Sequence, residues 1–264
     1  MIYNVKKMDD QMFRNTIEGM GRTVTNYYTN ETDTVLVEPN GQLDGGKVYC
    51  RSDSWIKRGD IIKVSGEWYL VNDISNLASD VYNVGVITRC DVELKIRLGK
   101  FVYMMPCVVS KYSGNSNARS IIDDSVEGQL SFITGYREAW DDLTKSPTVN
   151  VFGKAWRVGN ALNVNNVMTV YCQGREDVVN AEIGIEPIAY EYKVGDTVDL
   201  SIHILNLSDY KNKLPDDLVI SVAGTGIAKV SGTKVTFTGR GKTFILISSA
   251  SLGANYQTEY INVF

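Results

Sequence analysis

From residue 32 onward the chain alternates apolar and polar side chains with a period of two, and turn-forming residues punctuate it at short intervals. A strand shows alternate residues to opposite faces, so such a pattern folds into sheets with one solvated side. Thr34–Glu38 predicts a strand that ends at Pro39-Asn40-Gly41. Ile61–Val64 and Glu67–Val71 flank Ser65-Gly66, which predicts a tight hairpin because glycine supplies the positive φ. In Val92–Ile96 the apolar Val92, Leu94 and Ile96 share one face, and Glu93 and Lys95 share the other. Further strands are expected at Val84–Cys90, Phe101–Met105, Gln129–Thr134, Val149–Phe152, Ala155–Val158 and Val167–Cys172.

One segment departs from this rule. Met8, Met12, Phe13, Ile17, Met20 and Val24 recur at helical spacing, with Asp9, Asp10, Arg14 and Glu18 off that face. The spacing predicts one amphipathic N-terminal helix, weakened by Gly19 and Gly21 at roughly 1 kcal/mol each relative to alanine. Toward the other end, Glu186-Pro187 marks a junction, and the pattern restarts at Tyr192. Strands are expected there at Thr197–Ile202, Leu218–Val222, Ile227–Val230, Lys234–Phe237, Thr243–Ile247 and Tyr260–Val263. So many short strands in so little chain predict a small sandwich. The expected fold class is therefore all-β with one N-terminal helix: a β-barrel or sandwich-rich domain followed by a small β-sandwich. The expected division is a helical docking segment over 1–29, a β-rich domain over 30–185 and the sandwich over 186–264.

Composition narrows the chemistry. The 264 residues carry a net charge of −4, which argues against electrostatic wrapping of nucleic acid. Residues 187–264 hold seven basic and seven acidic side chains, so the whole deficit lies in residues 1–186, with 20 and 24. A single histidine, His203, excludes H-E-x-x-H zinc sites, and its strand context predicts a packed or solvated residue rather than a catalytic one. Cys50, Cys90, Cys107 and Cys172 lie far apart without a C-x-x-C pair and are expected to be buried, reduced thiols. The acid pairs Asp123-Asp124, Asp141-Asp142 and Asp216-Asp217 stand among turn residues; adjacent strand residues diverge, so these are expected as solvated turns and caps. The G-x-G pairs Gly19/Gly21, Gly224/Gly226 and Gly239/Gly241 lack the third glycine of a dinucleotide fingerprint. The 15 tyrosines and 4 tryptophans are expected mostly as sheet packing. No catalytic, cofactor-binding or metal-binding residues are assigned, no cofactor is expected, and the chain is read as not an enzyme. The first ten residues lack an apolar signal core, and no stretch is long enough to span a membrane as a helix, so a soluble protein made in a cytoplasm is expected.

Two groups of segments resemble virion proteins of tailed bacteriophages that infect Gram-positive hosts. The first runs through Arg58-Gly59-Asp60-Ile61-Ile62, Trp68-Tyr69-Leu70-Val71, Arg89-Cys90-Asp91-Val92-Glu93-Leu94-Lys95 and Pro106-Cys107-Val108. It is similar to the "G-D-x-I … W-L-V", "R-C-N-x-x-L-K-W" and "P-C-V" elements of those proteins, with Asp91 in place of the asparagine and Ile96 in place of the final tryptophan. The second comprises Leu130–Ile133, Val151–Val158 and Asn165–Val170, and the resemblance covers roughly residues 55–175. The segments from Val194-Gly195-Asp196-Thr197 to Val230–Thr236 resemble a bacterial Ig-like domain, with Ile220-Ser221-Val222 where that group often has Trp-x-Ser.

This resemblance implies a structural protein of the head–tail connector or neck, head-closure or adaptor-like. It implies a homo-oligomeric ring flanked by the portal or an adaptor and by tail or collar proteins. Genomic DNA would pass through the lumen without specific binding; no membrane is involved, and the location is the virion's head–tail junction. An acidic lumen would let DNA slide past. The alternative is a surface, baseplate or cell-wall carbohydrate-binding module.

Overall fold

The structure is a computed structural model that describes residues 5–39, 44–76, 81–110, 129–145, 148–151, 154–174, 180–206 and 214–264. Its elements follow in chain order. Helix α1 (Val5–Met20) leads into β1 (Arg22–Asn26), β2 (Thr32–Pro39), β3 (Gly45–Arg51), β4 (Ile61–Val64), β5 (Glu67–Asn76) and β6 (Tyr82–Arg89). Then come β7 (Val92–Leu98), β8 (Phe101–Ser110), β9 (Gln129–Gly135), a 3₁₀ segment (Glu138–Lys145), β10 (Thr148–Val151), β11 (Lys154–Val164) and β12 (Val167–Gly174). The remainder is β13 (Glu182–Ile185), β14 (Glu191–Tyr192), β15 (Thr197–Asp199), β16 (Ile202–Leu205), β17 (Val219–Val222), β18 (Ala228–Ser231) and β19 (Lys234–Phe237). It ends with β20 (Gly241–Thr243), β21 (Ile245–Ser249), β22 (Ala254–Gln257) and β23 (Ile261–Val263). The expected class, all-β with one N-terminal helix, is the class observed.

Two compact units divide the chain. Unit 1 contains residues 1–93, 106–141 and 159–172; unit 2 contains 94–105, 142–158 and 173–264. Within unit 1 the first six strands close into a barrel in the order β1-β2-β3-β6-β5-β4, with β1 returning to β4 through Thr25↔Lys63 and Asn26↔Ile62. Closure leaves no open edge in the barrel. Val24, Val35, Val48, Cys50, Ile56, Ile62, Val64, Val71 and Ile87 fill its interior. The β4–β5 hairpin turns at Ser65 (φ 52°) and Gly66 (φ 97°), the two left-handed residues that a type I′ turn requires. In β5 the pairing with β6 slips between Val71 and Asp73, a bulge that lets Val71 face the core while Asn72 donates to Thr88 Oγ1 at 2.6 Å.

The helix stops short of the predicted Val24. Gly21 N–H closes the last turn on Ile17 O at 2.8 Å, and the β-branched run Thr23-Val24-Thr25 then continues as strand β1. Val24 is thus a barrel-core residue whose apolar character satisfied both periods. Helix α1 lies on its own barrel through buried Ile17 and through Phe13, whose ring stacks on Tyr82 at 4.7 Å. Met12 and Met20 point away, 65% and 75% exposed.

The rest of unit 1 is built on β8, β9, β12 and the distal part of β11. Val108, Val109 and Ser110 pair with Ile133, Phe132 and Ser131, and Cys107, Phe132, Val170 and Cys172 are buried. The β11–β12 turn is made by Asn165 (φ 52°) and Asn166 (φ 66°). In unit 2, β13 pairs antiparallel with β16 and meets β8 in parallel at Ile185↔Phe101. Three three-stranded sheets follow, β14-β23-β20, β15-β19-β18 and β17-β21-β22. They share a core of Ile183, Ile185, Val235, Phe237, Ile245, Ile247, Ile261 and Val263. Two expected strands are broken: Thr197–Ile202 divides at Leu200-Ser201, and Thr243–Ile247 divides at Phe244. Leu200 is buried while Ser201 is exposed, and Leu200 N–H bonds to Thr233 O at 3.0 Å, so the chain leaves one sheet there for another. Strands β1, β3, β13, β14 and β22 were not expected. Phe152 and the pair Asp123-Asp124 lie outside the described residues. No helix among the described residues is long and apolar enough to cross a membrane.

Candidate functional site

Among the described residues, several of the chemistry-bearing side chains singled out above are engaged in holding the fold. Asp217 accepts Ser251 N–H at 2.7 Å and the hydroxyls of Ser249 and Ser251, each at 2.8 Å. These bonds hold its carboxyl down at about 2. Asp141 accepts the Tyr136 hydroxyl at 3.1 Å, and this bond pushes the phenol above its usual range. His203 Nε2 lies 2.9 Å from Glu186 Oε1 across the start of the β13–β16 ladder. The thiols of Cys50, Cys107 and Cys172 are buried, Cys90 is half-buried, and none is in a disulfide. Burial pushes Cys50 up to about 11 and Cys90 and Cys172 up to about 12, far from the thiolate that a nucleophile or metal ligand needs. Among the described residues no three His, Cys, Asp or Glu side chains gather as a metal site would require.

The aromatics behave in the same way. Tyr27 meets Trp68 edge-on at 4.7 Å and donates to Glu93 Oε1 at 2.5 Å. Arg137 lies 3.7 Å over the Tyr28 ring, and burial holds the Tyr28 hydroxyl well above its ordinary titration range. In unit 2, Tyr192 stacks on Phe237 at 4.5 Å. Arg97 pairs with Glu182 at 3.0 Å, donates to Ile183 O and faces the ring of buried Tyr256.

Several of the segments that carry the family resemblance touch one another within unit 1. Asp91 N–H donates to Cys107 O at 2.8 Å, and Asp91 Oδ2 accepts Val109 N–H at 2.8 Å, so one side chain clamps the "R-C" segment to the "P-C-V" segment. An asparagine Oδ1 would accept the same bond. Gly59, at φ 89°, donates its N–H to Val71 O at 2.8 Å, and Asp60 Oδ2 accepts Lys57 N–H at 2.7 Å to close the turn. A side chain at Gly59 would run into the Asn166 carbonyl, whose carbon stands 2.8 Å from the place a Cβ would take. A side chain at Gly135 would run into the Gly59 carbonyl in turn, 2.9 Å from its carbon. Tyr136 N–H completes this joint by donating to Asn166 O at 2.8 Å. Three backbones from three separate stretches of sequence thus touch without an intervening side chain. Spacing had not revealed the joint, because its members are far apart in sequence and two of them carry no side chain.

Among the described residues, exposed large apolar side chains include Met12 and Met20 on α1, Leu162 and Val164 on β11, and Val219, Leu246, Tyr260 and Phe264 in unit 2.

No protein-family description and no curated protein matches the chain. Two solved structures show a weak likeness: the 2.65 Å P2(1) crystal of K. pneumonia MrkH and the apo state of the same protein. Both are 9% identical to this chain and cover 64% of it, and the matches span 84% and 86% of those chains. The TM-scores are 0.20 and 0.19, and a likeness of that size carries no argument about this chain.

Proposed function

We propose that this protein is a structural subunit of a tailed-phage particle, part of the head–tail connector or neck. It would act through contacts with its own copies and with the portal, adaptor, tail or collar proteins beside it. One observation supports the reading: resembling segments in unit 1 touch one another, with Asp91 bonded to Cys107 and Val109, and the Gly59 backbone packed against that of Asn166. Residues placed in this way support the reading of a rigid building block. The engagement of Asp217, His203 and the cysteines in the fold supports the same view. Helix α1 supplies a docking element, with Phe13 and Ile17 anchoring it and Met12 and Met20 turned outward. Unit 2 carries the Ig-like segment as a decoration.

The test is a tagged chain in assembled particles, located by electron microscopy. Density at the head–tail junction is expected. Label at the tail tip would favour a cell-wall-binding module instead, and absence from the particle would refute both readings.

A further inference from the structure

Strand β11 pairs with β10 only from Lys154 to Arg157, through Thr148↔Arg157 to Val151↔Lys154. Beyond that point, among the described residues, no strand pairs with Gly159–Val164 on the side away from β12. The two-residue Asn165-Asn166 turn makes Val164 and Val167 the closing pair of the hairpin. By alternation Asn160, Leu162 and Val164 then bond toward β12, while Gly159, Ala161 and Asn163 aim their N–H and C=O groups at the open side. The Ala161 N–H accordingly finds the Asn160 side chain, Oδ1 at 2.9 Å, and not another strand.

Open edges in soluble proteins are normally guarded by lysine, proline or an inward charge. This one has no such guard: Val158–Gly174 contains no charged residue and no proline. Leu162 and Val164, on one face of the strand, are 51% and 50% exposed. A stretch without charge can meet an identical stretch without like-charge repulsion, whereas a charged partner strand would gain nothing from it.

We propose that the Gly159–Val164 edge pairs antiparallel with the same edge of a second copy of this chain, about a twofold axis. Pairing Ala161 with Asn163 of the partner subunit sets the open-side groups of both strands opposite each other and brings Leu162 against Leu162 of the partner subunit. The contact is isologous and joins subunits two by two, which is separate from the head-to-tail contacts that close a ring. It does not depend on where the protein resides, so its test reads self-association and not particle location.

Sedimentation velocity on the full-length chain provides the test, with Ala161→Pro and Leu162→Lys as variants. Proline at 161 removes an N–H that β12 does not use, and lysine at 162 sets two like charges face to face. The wild type should dimerise with rising concentration up to about 100 µM, and each variant should weaken the dimer by about tenfold or more. Circular dichroism checks the fold; if Ala161→Pro fails to fold, exposed Leu162→Lys decides alone. A wild type that stays monomeric throughout overturns the proposal. So does a dimer of unchanged strength in folded Leu162→Lys.

Discussion

The joint at Gly135 predicts a large effect from a single methyl group. In Gly135→Ala the new Cβ would stand 2.9 Å from the Gly59 carbonyl carbon and closer still to its oxygen, where ordinary contact begins at 3.4 Å. The obstacle is backbone on both sides, since Gly59 is itself pressed against the Asn166 carbonyl, so no side chain can swing aside. The segments must part, which strains or breaks Tyr136 N–H to Asn166 O and Gly59 N–H to Val71 O, both 2.8 Å. Overpacking at about 1–3 kcal/mol, with one or two backbone bonds at about 1 kcal/mol each, gives a loss of about 2–5 kcal/mol. Such a loss is a large part of the usual 5–15 kcal/mol of a domain. A reporter stands beside the site: buried Trp140 donates its indole N–H to Gly135 O at 2.9 Å. Denaturant titration followed by tryptophan fluorescence should show an earlier unit 1 transition and an altered native emission. Gly19→Ala is the matched control, because it lies in α1 with nothing within 4 Å, and it should stabilise by up to about 1 kcal/mol. A Gly135→Ala protein within about 0.5 kcal/mol of wild type would refute the argument from close backbone contact.

Four further outcomes are expected. The Asp217 carboxyl is depressed to about 2 in the folded chain, so its contribution to stability is complete above about pH 4 and is lost as pH falls through about 2; thermal melts from pH 4 to 2 should fall less steeply for Asp217→Asn. Cys90 and Cys172 are pushed up to about 12, so the folded chain keeps thiol protons that the unfolded chain releases, and stability should decline as pH rises above about 8.5. Correspondingly, an aromatic disulfide reagent at pH 8 should label buried Cys50, Cys107 and Cys172 only after denaturation. Phe13→Ala should loosen α1 by about 1–2 kcal/mol, raising amide exchange in residues 10–20 while the barrel amides stay protected.

Much of the fold was legible because half-solvated strands write their faces into the sequence. Leu94, Ile96 and Leu98 are buried with Glu93, Lys95 and Arg97 less so, as alternation required, and Ser65-Gly66 marked its hairpin. Strand β3 escaped because its inward positions are Gly46, Val48 and Cys50, and glycine in a strand reads as a loop. Val24 was ambiguous because it fits both a helical and an alternating period; the β-branched neighbours and Gly21 decided the matter. Strand β13 depends on partners far away in sequence, β16 and Phe101 of β8, and no local pattern encodes that. The candidate surface was legible only in part. The methionines of α1 were visible, but the part of β11 beyond Arg157 has no partner on the side away from β12 among the described residues, which is a property of pairing and not of composition.

The barrel strands come from one unbroken run, residues 22–89, whereas the unit 2 core joins residues near 183 to the last strand at Ile261–Val263. On a ribosome the barrel can therefore close while Ile185 and Tyr190, the partners of Phe101, have yet to be translated, a wait of about 4–18 s at 5–20 residues per second. For that interval a finished cylinder trails a sticky, half-dressed tail, and the nascent chain is most exposed to holdase chaperones just after residue 105 emerges.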